Sequence, residues 1–256
     1  MKVKGAVDME SLLYSFIAGI STSLGVVLLL VFGKPSKKVL ATLLGFAGGI
    51  MLAISVFELM PEAVEIGSMT SALIGFVLGA GMMYLLDKVL PHSHMSEADH
   101  LVVENPQKLQ SVKNPMLRTG YLILFGIGLH NLPEGLAIGA GLESSPELGL
   151  FIAIAIALHN VPEGLAMAGP LKSGGLSGIK IFLFTLVAGL MTPIGAAIGL
   201  VFFSISPIFV GGSLAFAAGA MIYIVNDELV PQANEMSSHF ANAGLILGLL
   251  LGFVLL

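Results

Sequence analysis

The sequence predicts an all-α membrane protein of eight transmembrane helices, in a 3+2+3 arrangement with inverted repeats. Three observations carry that expectation. Hydrophobic residues make up 56% of the 256 and charged residues only 11%, with a mean hydropathy of +0.97, whereas a soluble domain needs roughly 25% charged residues to cover its surface. Eight apolar stretches approach the ~20 residues that cross a bilayer. The chain also repeats itself at two separations, 29 and 170 residues.

The stretches are 11–32, 39–60, 66–90, 118–142, 148–169, 179–203, 207–230 and 240–256. The first follows Lys2 and Lys4, as a signal peptide would. Its apolar run is longer than a typical signal core, and Lys34, Lys37 and Lys38 follow it, so it reads as a retained span. The last is short but purely apolar. All eight are continuous rather than alternating, which excludes membrane strands. The 32 glycines suit close helix packing in lipid and permit a homodimer. With no Cys, disulfides and thiolate metal sites are excluded. A net charge of −5 without a basic tract gives nucleic acid no surface. Residues 1–256 read as one transmembrane domain, with partners in the lipid bilayer. The long connection 91–117 holds His92, His94, Glu97, Asp99 and His100 and reads as a mobile loop.

Lys and Arg set the expected orientation. Lys34, Lys37, Lys38, Lys88, Lys108, Lys113, Arg118, Lys172 and Lys180 fall in or beside the connections 33–38, 91–117 and 170–178; only Lys2 and Lys4 lie opposite. The first side is therefore expected in the cytoplasm, with both termini outside a multi-pass cell (inner) membrane protein. The outer connections carry Asp8, Glu10, Glu62, Glu65, Glu143 and Glu147, which would attract cations.

The shorter repeat matches Leu129-His130-Asn131-Leu132-Pro133-Glu134-Gly135-Leu136-Ala137 with Leu158-His159-Asn160-Val161-Pro162-Glu163-Gly164-Leu165-Ala166, eight positions of nine. The longer one matches Phe46–Glu65 with Phe216–Glu235 at ten of twenty positions, and aligns Ala18, Gly19, Thr22 and Gly25 with Ala188, Gly189, Thr192 and Gly195. By span parity the matched segments run in opposite directions. Inverted repeats of this kind are a transporter signature, with the site near the midplane.

His130 and Glu134 are four apart, as are His159 and Glu163, so each pair shares a helical face. Two such faces would present two imidazoles, two carboxylates and the amide oxygens of Asn131 and Asn160. That donor set suits Zn²⁺ and, less selectively, Fe²⁺, Mn²⁺ or Cd²⁺. Pro133 and Pro162 free the carbonyls of Leu129 and Leu158 and are expected to kink their helices. A carboxylate at the bilayer centre costs roughly 2.5–3.5 kcal/mol, and an ion pathway is the usual compensation. Glu58 and its repeat mate Glu228 flank the pair towards the outer and inner ends. Asp227, Glu228, His92 and His94 form a candidate exit relay. No phosphate-binding loop and no His-Glu-x-x-His motif is present.

The sequence resembles the ZIP family of zinc/iron permeases, close to its bacterial broad-specificity zinc-uptake branch. The two hexapeptides carry the resemblance, with Ile54–Pro61, Leu86–His94 and Asp227–Pro231. It covers nearly the whole chain. It implies eight spans, outside termini, a His-bearing cytoplasmic loop and import of divalent metal as substrate, with no cofactor and no enzymatic activity. It further implies that spans 4 and 5 bind metal through His130, Asn131, Glu134, His159, Asn160 and Glu163, joined by Glu58. One position departs: relatives with two adjacent metals use a span-6 Glu where this chain has Thr192. A neutral hydroxyl is a poor ligand, so one ion near the pseudo-twofold axis is expected. The alternative readings of the same residues are an intramembrane metal-dependent hydrolase and a non-transporting helix bundle.

Overall fold

The computed structural model describes residues 4–89, 92–95, 101–104, 114–203 and 206–255. Helices dominate: α1 (Lys4–Phe32), α2 (Lys37–Ala53), α3 (Met60–Ile66), α4 (Met69–Val89), α5 (Pro115–Ser144), α6 (Pro146–Ser173), α7 (Gly178–Gly189), α8 (Met191–Phe203), α9 (Pro207–Ile224) and α10 (Val230–Leu255). In lipid the backbone must satisfy its own polar groups, and a helix does so within one segment. Among the described residues, six stretches are long and apolar enough to cross a membrane: Met9–Phe32, Lys37–Ile66, Met69–Leu86, Pro146–Ser173, Gly178–Leu200 and Pro207–Val254. Large apolar side chains such as Val31, Val77, Ile179 and Val254 point outward from them, which costs nothing against hydrocarbon. The chain is a multi-pass membrane protein.

Helix ends follow local chemistry. Ser36 and Ser145 cap α2 and α6, accepting from the N–H groups of Val39 and Leu148. Part of the 91–117 connection, expected to be a loop, is a short antiparallel ladder. Strands β1 (His92–Met95) and β2 (Leu101–Glu104) pair with His92 opposite Glu104. His100, Lys108 and Lys113 lie outside the described residues.

The interruptions of regular helix do not fall at the motif prolines. α5 and α6 each continue as one helix through Pro133 and Pro162. Instead, π-helical turns occupy Ile54–Leu59 and Val225–Leu229. Each precedes a proline, Pro61 or Pro231, that lacks an N–H and whose ring would crowd the carbonyl four residues back. The turn widens, so that Met60 N–H reaches Ser55 O and Val230 N–H reaches Val225 O. A single turn residue, Leu190, separates α7 from α8 three positions before Pro193. Ser237 (φ −172°, ψ 100°) breaks α10 with an extended residue.

The helices pack in two groups. One contains α1, α5, α6, α7 and α8; the other contains α2, α4, α9 and α10 with the short α3. Glycines set the contacts inside each group. A Cβ on Gly135 would stand 1.8 Å from Thr192 O, and one on Gly164 would stand 1.8 Å from Thr22 O. A Cβ on Gly19 would stand 2.1 Å from Gly189 O, and one on Gly189 2.1 Å from Gly19 O. In the second group a Cβ on Gly79 would stand 1.9 Å from Phe216 O, and one on Gly248 2.1 Å from Phe46 O. These contacts recur at the sequence offset of 170, or 169 between α4 and α10. α5 and α6 run antiparallel, Gly120 lying against Leu171 and Gly141 against Gly149. α1 runs parallel to α6, and α5 to α8.

Candidate metal centre

The middle of α5 and α6 holds a cluster of charged and polar side chains with almost no solvent exposure. His130, Asn131, Glu134, His159, Asn160 and Glu163 are each at most 1% exposed. The i, i+4 spacing puts His and Glu on one face of each helix, and antiparallel packing turns the two faces together. The pairing is crossed. His130 Nε2 lies 3.0 Å from Glu163 Oε2, and His159 Nε2 lies 2.8 Å from Glu134 Oε1. Within α5 itself, His130 Nε2 and Glu134 Oε1 are 3.9 Å apart.

The asparagines are held from outside the pair. Asn131 Nδ2 donates to Ala188 O at 2.9 Å, and Asn160 Nδ2 donates to Ala18 O at 3.0 Å. Each amide nitrogen is thereby committed to a neighbouring helix. Each Oδ1 stays buried without a protein donor, as do Glu134 Oε2 and Glu163 Oε1. A buried polar atom left unpaired costs about 1–3 kcal/mol. Four such oxygens in one buried cluster are what a cation would satisfy.

One atom each from His130, Glu134 and Glu163 lie within 4.8 Å of one another. A single divalent ion can bridge such a set by replacing the imidazole–carboxylate hydrogen bonds. Nitrogen with carboxylate oxygen matches Zn²⁺ chemistry. Thr22 and Thr192, at equivalent places on α1 and α8, are buried with hydroxyls that lack a protein partner.

Two flanking residues are placed differently from each other. Glu58 sits on the first π turn and is not part of the three-residue set. Its mate Glu228, on the second π turn, lies against α5 one turn before His130. A Cβ on Gly126 would be 3.1 Å from Glu228 Oε1. Asp227 shares that π turn, and His92 and His94 lie on β1. The roles of Ala18 and Ala188 are absent from the motif reading, although both fall in the 170-residue repeat. That repeat was the available signal, because what binds each Asn is a backbone oxygen whose side chain is only a methyl.

Comparison with known proteins identifies the family. The family model described as ZIP Zinc transporter matches residues 9–119 and 96–256. The zinc transporter ZupT of Chlorobium chlorochromatii (strain CaD3) is 35% identical over 256 residues, covering 94% of this chain and 95% of the relative. That of Enterobacter sp. (strain 638) is 37% identical over 230 residues, with 88% and 87% covered. That of Chlorobaculum parvum (strain DSM 263 / NCIMB 8327) is 36% identical over 261 residues, with 94% and 96% covered. With residues 9–256 matched and its central motif doubled, the chain belongs to the ZIP zinc transporter family.

Proposed function

We propose that the chain imports Zn²⁺, and with it Fe²⁺, Mn²⁺ or Cd²⁺, across the inner membrane through the buried site between α5 and α6. Membership of the family makes it a transporter rather than an enzyme, with the metal as substrate rather than cofactor. The observation that carries the site assignment is the crossed pair, His130 with Glu163 and His159 with Glu134, wholly buried in a membrane-spanning segment. Asn131 and Asn160 complete the ligand set through Oδ1. Glu58 supplies an outer carboxylate that joins the ion on entry. Glu228, Asp227, His92 and His94 form the exit relay towards the cytoplasmic loop 91–117.

Eight crossings in 3+2+3 order fit the packing. The 48-residue stretch Pro207–Val254 is too long for one crossing and is broken at Ser237. Division there, with α5 as a further span, gives eight within a single domain spanning 1–256. The parallel pairing of α1 with α6 and of α5 with α8 is what alternating directions require. The Lys and Arg distribution favours termini outside. Glycine-lined faces allow a homodimer. The test is uptake of zinc into liposomes loaded with a fluorescent zinc indicator. Wild-type flux from the variant His130→Ala with Glu163→Ala would refute the site.

A further inference from the structure

The two helix groups are symmetric inside but meet each other asymmetrically. Ser144, at the end of α5, donates to the Glu62 carboxylate on α3. The equivalents at offsets 29 and 170 are Ser173, at the end of α6, and Gln232, on α10. Those two do not pair here. Ser173 Oγ donates to Gly169 O at 3.0 Å and receives Lys34 Nζ. The apolar interface is uneven in the same sense. Leu165 packs in a cluster sealed by Leu40 and Leu43 of α2. Its mate Leu136 lines an open groove of about 500 Å³, where α9 offers Gly212 and Ser213. Serine stands where the first half has Leu43.

Matched halves can dock in two related ways, and exchanging their roles converts one arrangement into the other. We propose that Ser144–Glu62 and Ser173–Gln232 are alternating latches at opposite ends of the helix groups. The first hydrogen bond holds the arrangement seen here, with Glu228 beside α5. In the second arrangement Ser144 leaves Glu62, Ser173 meets Gln232, and Ala155 takes up against Glu58 the place that Gly126 has against Glu228. The metal cluster then lies alternately near each π-turn carboxylate. Ser144 and Ser173 are positioning residues: neither touches the ion. An ionised acceptor makes the stronger hydrogen bond, so Glu62 weights the balance towards the present arrangement relative to Gln232.

The inference rests on the transport reading, and its test keeps the two apart. The chain has no Cys, so cysteine pairs can be introduced cleanly. Three variants are reconstituted and treated with a short bis-thiosulfonate: E62C with S144C, S173C with Q232C, and all four together. Each pair is expected to cross-link, to lower zinc flux at least tenfold, and to recover on reduction. By intact mass, which separates a bridged pair from two singly attached reagents, the four-cysteine protein is expected to carry one bridge per molecule and never two. Failure of S173C with Q232C to cross-link, or two cross-links in one molecule, overturns the proposal. Mutually exclusive cross-links without flux in the reduced protein would sink the transport reading alone. Where the cysteines prevent folding, spin labels at exposed Glu65 with Glu143, and Lys172 with Glu235, report the same exchange. Short outer with long inner distances, and the reverse, are expected as two populations. One fixed distance for each pair, with and without zinc, overturns the proposal.

Discussion

The imidazole of His130 lies 3.0 Å from the carboxylate of Glu163 on the neighbouring helix, and both side chains are cut off from solvent. Neither group is tolerable alone at that depth. Together they make a hydrogen-bonded pair whose proton a divalent ion can replace. Removing one partner leaves the other uncompensated, at about 3–5 kcal/mol. Glu163→Ala is therefore expected to abolish zinc flux and to lower the melting temperature in detergent. Glu163→Gln keeps a hydrogen-bonding group and is expected to lose flux with a smaller fall in melting temperature. Flux and melting measured on both variants check this, and equal destabilisation by the two would contradict it.

The asparagines test orientation rather than charge. Asn160 donates to Ala18 O, which turns its Oδ1 away from that carbonyl. Asn160→Asp replaces the donor with an oxygen facing a carbonyl. A lost hydrogen bond to a neutral acceptor is worth about 1 kcal/mol, or roughly fivefold in binding. Zinc titration calorimetry is expected to show weaker binding for Asn160→Asp and Asn131→Asp despite the added negative charge. Tighter binding would mean that the amide contacts do not position the oxygens.

Gly135 tests helix approach. A Cβ there would meet the Thr192 backbone oxygen at 1.8 Å, so α5 and α8 must separate. Gly135→Ala is expected to destabilise the protein by several degrees, because the obstacle is backbone and cannot swing aside. Gly81→Ala, inside α4 and not followed by a proline, is the control. Nothing lies within 4 Å of its Cβ position, and Ala is favoured over Gly in a helix by about 1 kcal/mol. Thermal melting should separate the two in sign.

Ligand linkage gives a further check. An ion that binds only the folded site stabilises by about 2.7 kcal/mol at a hundred times its dissociation constant. Zinc is expected to raise the melting temperature of the wild type, and a chelator to reverse it. In His130→Ala with His159→Ala the shift should vanish. A shift of the same size would place the stabilising ion elsewhere, for instance near β1.

Much of this molecule is readable from its amino acids taken in order. Hydropathy locates the helices, because lipid demands long apolar runs; the stretch 207–230 and the segment Pro207–Leu229 nearly coincide. Spacing puts His130 over Glu134 and His159 over Glu163, because a helix has one period. The 29- and 170-residue offsets foretell that Asn131 and Asn160 would have equivalent surroundings. Tertiary structure alone decided that His130 pairs with Glu163 rather than with its own helix's Glu134. It also decided that the breaks fall at the π turns before Pro61 and Pro231, since a proline's lost bond can be absorbed within a packed helix or by widening a turn. Above all, it decided that Glu228 lies against α5 one turn before His130, while Glu58 stands outside the three-residue set. A repeated sequence treats those two carboxylates alike, whereas two helix groups in contact occupy one docking at a time, and that choice belongs to the interface as a whole.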